Sequence, residues 1–422
     1  MNDHLNRRAF LGTAAAGFTL LKPQLVRGSQ ANSAVRVGLL GCGGRGTADA
    51  TSIAATGHAR VTALADMFPD RLATAKDHFD SIANKEGHAG VAKSQLFQGP
   101  HAYEQILASR EVDAVVVATP PYFHPHHLAA AVEAGKHVYC EKPVGIDVPG
   151  AMQAIESGKK AEGRLSLDVG FQIRKAPPFV ELVRRIHAGA LGEIACAEAH
   201  YYCPFLAMPE YPNVSPTVLR LRHWLHDRVL SGDIIVEQNI HAIDICNWVL
   251  DSHPVKAIGR GGRKGRTEQP GDAWSHFDVV FEYPNSVHLS FSSTQFGKGG
   301  FDVNERFFGT RGNSQSPYSG PVQISGEEAW TWGGSQKPAG GDFSITGNFS
   351  DNLAQADSEK HMDFIQSIIT GQFHNQAAMG AESALTAMLG RTAAYKATEV
   401  TWDEMLQANE KWESGIDIEK LG

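Results

Sequence analysis

The chain is short of cysteine, and what it has is badly placed for cross-linking. Cys42, Cys140, Cys196, Cys203 and Cys246 are an odd number in 422 residues and include no Cys-x-x-Cys pair, which argues against a disulfide framework and against structural zinc. Long apolar runs are missing too, so no segment is expected to span a membrane. There is no basic excess: 38 Lys and Arg are scattered among 46 Asp and Glu for a net charge of −8, which leaves no electrostatic footprint for nucleic acid. Internal repeats, heptads and collagen-like tracts are absent. His124, His126 and His127, or His223 and His226, lie close in sequence but lack carboxylate or cysteine partners at ligand spacing, and no metal is expected. The remaining composition, 42% hydrophobic over 422 residues, suffices for two ordinary domains with substantial cores.

What is present begins with glycine. Val35, Val37, Leu39 and Leu40 read as a strand buried on both faces, and Gly41-Cys42-Gly43-Gly44-Arg45-Gly46 spells G-x-G-x-x-G as a helix begins. In such a turn the first glycine permits the tight bend, the second lets backbone approach a phosphate, and the third lets helix and strand pack closely. The helix N-terminus then favours the negative charge of a pyrophosphate. A second strand, Arg60 to Ala65, ends at Asp66, 20 residues beyond Gly46. A carboxylate there can accept hydrogen bonds from an adenosine ribose and repel a 2′-phosphate, which predicts NAD over NADP. The same aspartate could instead cap the turn Asp66-Met67-Phe68-Pro69-Asp70. Cys42 and Cys140, in small or apolar surroundings, read as packing residues.

The unit then repeats. Val112 to Ala118 reads as a strand ending at Thr119-Pro120-Pro121, a helix follows over about His126 to Ala134, and the strand His137 to Cys140 runs into Glu141-Lys142-Pro143. Strands alternating with helices predict a parallel, doubly wound sheet, whose ligand lies beyond the carboxyl ends of its strands. Lys142 stands at such an end. A lysine there is ordinarily solvated, yet at the mouth of a cofactor crevice it can hydrogen-bond a reacting hydroxyl.

These motifs, together with Ala134-Gly135-Lys136-His137-Val138, Gly170-Phe171-Gln172, Leu191-Gly192-Glu193-Ile194, the stretch from Gly232 to Asp244 and Glu399-Val400-Thr401-Trp402, resemble the Gfo/Idh/MocA oxidoreductases over nearly all of the chain after residue 34. The resemblance implies an α/β chain: an N-terminal Rossmann dinucleotide-binding domain, taken as residues 35–165, and a C-terminal α+β domain with a mainly antiparallel open sheet, residues 166–422. It implies cofactor contacts at Gly41, Gly43, Gly44, Arg45, Gly46, Asp66, Thr119, Pro120, His124, Glu141 and Lys142, with Glu141 orienting either the loop or the nicotinamide ribose. It also makes Lys142 catalytic and the chain a homo-oligomer.

The second domain's own pattern agrees, with consecutive strands over Ile194 to Tyr202, Val255 to Gly262, Ser275 to Tyr283 and Ser286 to Ser293. Residues 312–357, rich in Gly and Ser yet carrying Trp330, Trp332, Phe343 and Phe349, read as a long structureless loop that serves as a lid or meets a neighbouring subunit. A helix through Glu237 and His241 would set them at i, i+4, where the carboxylate can orient an imidazole that exchanges a proton with a substrate hydroxyl. Where the family usually carries Asp, this chain carries Glu237. The two could equally be an ordinary helix-surface pair. Candidates for gripping substrate hydroxyls or covering a ring face are Lys142, Gln172, Arg222, His223, Trp224 and His241, together with Tyr201 and Tyr202 at the end of the first of these strands.

The N-terminus adds an address. Asn6-Arg7-Arg8-Ala9-Phe10-Leu11-Gly12 is a twin-arginine pattern before a short apolar stretch, Thr13 to Leu21, and residues 1–31 are expected to be a signal peptide cleaved after Ala31. The expected protein is therefore an exported, periplasmic or extracellular oxidoreductase acting on a hydroxyl or ketone of a sugar, glycoside or polyol. Its NAD should be tightly held, since no nicotinamide pool is expected outside the cytoplasm. Two alternatives stay open: a glycosidase that works by transient ring oxidation and elimination, and a non-catalytic nucleotide-sensing relative, which would need neither Lys142 nor His241.

Overall fold

The computed structural model describes residues 34–266, 270–333 and 350–421, so the twin-arginine segment lies outside the described residues. The apolar run after the first described residue forms β1 (Val35–Leu40), followed by α1 (Gly44–Ala54), β2 (Ala59–Asp66), α2 (Pro69–Lys85), β3 (Leu96–Gln98), α3 (Ala102–Ala108), β4 (Ala114–Val117), α4 (His124–Glu133), β5 (His137–Cys140), α5 (Val148–Ala161) and β6 (Leu167–Val169). The six strands are parallel, in the order β3-β2-β1-β4-β5-β6. The order reverses between β1 and β4, which opens a crevice at the carboxyl ends of these two strands. Every residue of β4 is buried, as a central strand covered by helices on both faces requires. Because β6 completes this sheet, the seam between the domains falls after Val169 and not at residue 165.

Beyond it come α6 (Pro177–His187), β7 (Ile194–Cys203), α7 (Pro216–Arg222), α8 (Arg228–Ser231), α9 (Ile234–Glu237), α10 (Ile240–Leu250), β8 (Lys256–Gly262), β9 (His276–Tyr283), β10 (Val287–Gln295), β11 (Asp302–Gly309), β12 (Gly312–Gln315), β13 (Gln323–Gly326) and β14 (Trp330–Thr331). With β15 (Val400–Thr401) they form a second sheet ordered β14-β13-β12-β11-β7-β10-β9-β8-β15. All neighbours are antiparallel except β7 and β10. Burial alternates along β9, so one face of the sheet meets the core and the other meets solvent. Two expectations need correction. Strand β11 is absent from the sequence reading, and the first part of 312–357 is not structureless, since β12, β13 and β14 extend the sheet from the edge of β11. Polar, glycine-rich strands such as Gly312–Gln315 carry no apolar alternation to reveal them. Trp330 packs under the Arg185 guanidinium, 5.0 Å from its ring centre, whereas Phe343 and Phe349 lie outside the described residues.

Of the C-terminal helices, α11 (Ala356–Thr370) packs beside α1 and β1 of the first domain, α12 (Ala377–Lys396) lies between α5 and β8 of the second sheet, and α13 (Trp402–Ala408) follows β15 and packs on α12. Leu167 of β6 exchanges backbone hydrogen bonds with His374 (2.8 Å) and Gln376 (2.9 Å), and the buried Lys360 ammonium donates to Asp168 at 3.0 Å. This covers the open edge of β6. Residues 35–422 accordingly form one compact unit. No helix among the described residues is long and apolar enough to cross a membrane, and all five cysteines are free, with Cys42 and Cys140 buried.

Burial has a consequence for acid stability. His127, His226 and His361 are almost wholly buried, and loss of hydration lowers the pKa of each to about 3. A group whose pKa is depressed by folding contributes stability above its unfolded value, near 6.5 for histidine, and loses it as the pH falls toward the folded value. Each such histidine weakens the fold by about 1.4 kcal/mol per pH unit within that window. His374, raised by its hydrogen bond to Asp168, acts in the opposite sense. We expect the thermal midpoint to change little between pH 8 and 7 and to drop steeply between pH 6 and 4.5. A midpoint that stays level down to pH 4.5 would contradict neutral burial of these rings.

Candidate active site

The glycine turn fits the first strand to the first helix through its missing side chains. Gly41 has φ of 99° and lies so close to β4 that a Cβ would stand 2.5 Å from the Ala118 carbonyl oxygen; at Gly46 a Cβ would stand 2.3 Å from the Gly41 oxygen. Gly43 and Gly44 differ: nothing comes within 4 Å of an added Cβ, because both face an open groove. That is the emptiness a pyrophosphate needs beside a helix N-terminus. Asp66 closes the turn from β2, accepting the Cys42 amide (2.7 Å) and the Phe68 amide (2.8 Å). A carboxylate has about four acceptor positions, so Asp66 both caps its own turn and presents remaining lone pairs to the groove it lines.

Arg45 lines the same groove, with its side chain engaged by acidic neighbours. Its guanidinium is drawn off by carboxylates from three directions: Asp49 at 2.9 Å, Glu141 at 3.0 Å and Asp357 of α11 at 2.8 Å. Glu141 accepts from Arg45 through one oxygen and from the Lys142 amide (3.1 Å) through the other, which favours loop orientation over ribose binding. Gly170 makes room for that carboxylate, since a Cβ there would lie 2.5 Å from a Glu141 oxygen. His124 is also turned inward, its ring spanning the carbonyl oxygens of Thr119 (2.6 Å) and Pro143 (2.7 Å). It ties the strand end of β4 to the Glu-Lys-Pro loop.

Lys142 reaches from the first domain into the second. Its Nζ donates to the Glu237 carboxylate at 2.8 Å and to the Glu237 carbonyl at 2.6 Å. Glu237 therefore does not orient His241, and the continuous helix expected through both residues is broken. Gly232 and Asp233, with φ of 86° and 69°, start a single short turn, α9, that ends at Glu237; Gln238 and Asn239 then reset the chain before α10. Asp233 holds the kink by accepting the amides of Ile234 (2.7 Å) and Trp274 (2.9 Å). No hydrogen bond joins Glu237 to His241 among the described residues, and His241 Nδ1 is buried without a partner. Desolvation in the cleft, reinforced by the positive charges of Lys142 and Arg45, holds the His241 pKa well below the ordinary histidine value. Both effects favour the uncharged ring.

These groups meet in a cavity of about 170 Å³ lined by Thr119, Glu141, Lys142, Gln172, Trp224, Glu237 and His241, with Tyr201, Tyr318 and Leu353 completing the wall. A second, adjoining groove of about 320 Å³ runs along Gly41, Gly43, Gly44, Asp66, Thr119 and Pro120. Arg222 and His223, expected at the substrate, line this groove instead. Arg222 pairs with Asp70 (2.7 Å) and lies over the rings of Phe68 (4.1 Å) and Tyr211 (4.5 Å), while Arg71 donates to the Tyr211 hydroxyl at 3.0 Å. His223 turns back to the Pro209 carbonyl at 2.8 Å. Residues 204–224 thus strap across the Asp66 end of the groove, and Trp224 borders both spaces. Sequence reading missed Tyr318 and Leu353, which stand in or after a polar segment with no periodic signal.

The two kinds of glycine should respond differently to a methyl group. Gly43→Ala is expected to keep the thermal midpoint and weaken NAD binding by about tenfold or more, since the Cβ enters space a phosphate would use. Gly46→Ala should destabilise by about 1–3 kcal/mol, the usual cost of overpacking. Calorimetric titration and thermal melts of both variants check this, and unchanged NAD affinity in Gly43→Ala would remove the groove from consideration.

Comparison with known proteins agrees with the geometry. Residues 35–169 match the family described as "Oxidoreductase family, NAD-binding Rossmann fold", and residues 179–315 match the GFO/IDH/MocA C-terminal domain. Inositol 2-dehydrogenase 4 of Saccharopolyspora erythraea is 34% identical over 307 residues, 73% of this chain and 80% of that one. An inositol 2-dehydrogenase of Acidothermus cellulolyticus is 26% identical over 70% of this chain and 76% of its own length. Among solved structures, levoglucosan dehydrogenase with NADH and levoglucosan superposes with a TM-score of 0.66 at 19% identity, covering 87% of this chain and 99% of the other. The aldose-aldose oxidoreductase of Caulobacter crescentus, complexed with glycerol, gives the same 0.66 at 19% identity over 87% and 99%. Glycine turn, Glu-Lys-Pro loop and antiparallel second sheet agree with these matches: the chain belongs to the Gfo/Idh/MocA family of NAD-binding oxidoreductases.

Proposed function

We propose that this oxidoreductase dehydrogenates a ring hydroxyl of a cyclic polyol, sugar or glycoside, or reduces the corresponding ketone. The observation that carries the reading is the meeting of a tethered lysine and a histidine with an unpaired ring nitrogen in one small cavity at the end of the dinucleotide groove. NAD, when bound, supplies the hydride acceptor. The protein's part is to move the proton. Lysine has three N–H donors, and Glu237 occupies two of those on Lys142, which leaves one for the substrate oxygen. That contact lets the ammonium stabilise an alkoxide as it forms. His241, whose pKa its surroundings hold down, takes the hydroxyl proton. Glu237 acts by holding Lys142 in place. The names of the inositol, levoglucosan and aldose relatives support this substrate class.

Lys142→Ala and His241→Ala should each lower turnover by about 10²-fold or more while leaving NAD binding largely intact. The test is a mass-spectrometric screen of pooled polyols, sugars and glycosides incubated with the wild type and both variants. Near-normal turnover in both variants would refute the mechanism, and hydrolysed glycoside without net NADH would turn the reading toward redox-assisted hydrolysis.

The twin-arginine pattern at Arg7 and Arg8 supports export of the folded chain, and with it a cofactor loaded beforehand and retained. The strap formed by Tyr211 and Arg222 favours retention, because a dinucleotide leaving past Asp66 must displace it. Protein purified without added nucleotide is expected to release near-stoichiometric NAD(H) on denaturation, and Arg222→Ala to release it without denaturation. Empty protein, active only with added free NAD, would leave an ordinary dissociable dehydrogenase.

A further inference from the structure

The cavity beside Lys142 carries more unpaired polarity than proton transfer uses. Folded chains leave few buried polar atoms without a partner, and each calls for an explanation. Three such atoms belong to residues lining this one space: His241 Nδ1, Gln172 Oε1 and the Tyr318 hydroxyl. Proton transfer accounts for His241. It does not account for the other two.

Tyr318 is mounted with some care. It stands between β12 and β13, its amide donating to the Val303 carbonyl (3.1 Å) and its carbonyl accepting from the Asn352 amide (3.3 Å). The Asn352 side chain clamps either side by donating to the carbonyls of Pro317 (2.7 Å) and Gly320 (2.9 Å). Its ring meets Phe179 and Tyr201 edge-on, with centroids 6.3 and 6.2 Å away. Burial, reinforced by the neighbouring Tyr201, pushes the phenol pKa well up, so the group stays an O–H donor. Both residues line the cavity from beyond the first sheet, Tyr318 bringing a phenol donor and Gln172 an amide acceptor.

We propose that Tyr318, together with Gln172, hydrogen-bonds a second hydroxyl of the substrate, distinct from the one oxidised, and so sets substrate specificity. A carbon-bound hydroxyl both donates and accepts, which an amide oxygen and a phenol can satisfy together. At about 170 Å³ the cavity is smaller than the roughly 300–1,000 Å³ of drug-sized sites, which suits a single polyhydroxylated ring. This inference rests on the substrate class proposed above. Sites built to hydrogen-bond a hydroxyl reject the analogue lacking it far more strongly than apolar pockets reject a missing methylene.

The test uses the full-length NAD-loaded enzyme and Tyr318→Phe with myo-inositol, D-glucose and levoglucosan, then the monodeoxy forms of whichever the wild type oxidises fastest. The wild type should discriminate against one monodeoxy form by about 100-fold or more in kcat/KM. Tyr318→Phe should lose most of that discrimination by raising KM for the parent compound, while treating the same deoxy form much as the wild type does. Its thermal midpoint should be unchanged or higher, since the hydroxyl removed has no partner among the described residues. Wild-type kinetics in Tyr318→Phe, an equal loss for every analogue, or a lowered midpoint would each overturn the assignment. Failure of the wild type to oxidise any of the three compounds would overturn the substrate class itself, and the inference with it.

Discussion

One ion pair joins the two domains where they matter. Lys142 comes from the end of the first sheet and Glu237 from the second domain, 95 residues away, and both side chains are about nine-tenths buried. A buried pair of this kind gains little net stability, because the desolvation of both charges offsets their attraction. What it does secure is geometry. A lone lysine would sample many rotamers in the cleft; held by both the carboxylate and the carbonyl of one residue, it has a single donor left and a single direction in which to point it. The kink at Gly232 and Asp233, the two short helices and the Trp274 contact all serve to present Glu237 at that place.

A second knot lies behind the first. Arg45, one residue before the last glycine of the turn, gathers Asp49, Glu141 and Asp357, and so fastens the dinucleotide loop to the Glu-Lys-Pro loop and to α11. The glycine-turn groove and Lys142 are thereby braced by the same guanidinium. The C-terminal helices are part of this frame, since α11 supplies Asp357 for Arg45 and Lys360 for Asp168. The second domain is not a separate module hung on a Rossmann fold; its last stretch completes the first domain's edge.

How much of this was legible in the sequence follows from which interactions are local. The six-stranded sheet was readable because buried strands and their glycine turns are written in contiguous residues, and Lys142, Gln172 and His241, picked out in advance, do share one cavity. The partner of Glu237 was not readable. Helical spacing pointed to His241, four residues on, but spacing is informative only along an unbroken helix, and here Gln238 and Asn239 separate the helix that ends at Glu237 from the one that begins at Ile240. Arg222 and His223 were misplaced for a related reason: their surroundings depend on how residues 204–224 cross the groove, which no local pattern encodes. Tyr318 was invisible, a lone aromatic in a polar segment whose strands are defined by pairing to β11.

The two spaces in the cleft hold their ligands by different physics. Over the groove, Arg222 pairs with Asp70, whose side chain is 56% exposed, and an ion pair this open to solvent is worth at most about 1 kcal/mol. The strap's effect must therefore come chiefly from covering: the guanidinium is stacked between Phe68 and Tyr211, so it moves only if the rings part, and that slows exit more than it deepens the bound state. In the inner cavity nothing is stacked and several polar atoms stand unpaired, a condition that costs energy until a ligand satisfies it. Under the function proposed above, such a cleft suits a cycle in which substrates come and go past a nucleotide that stays.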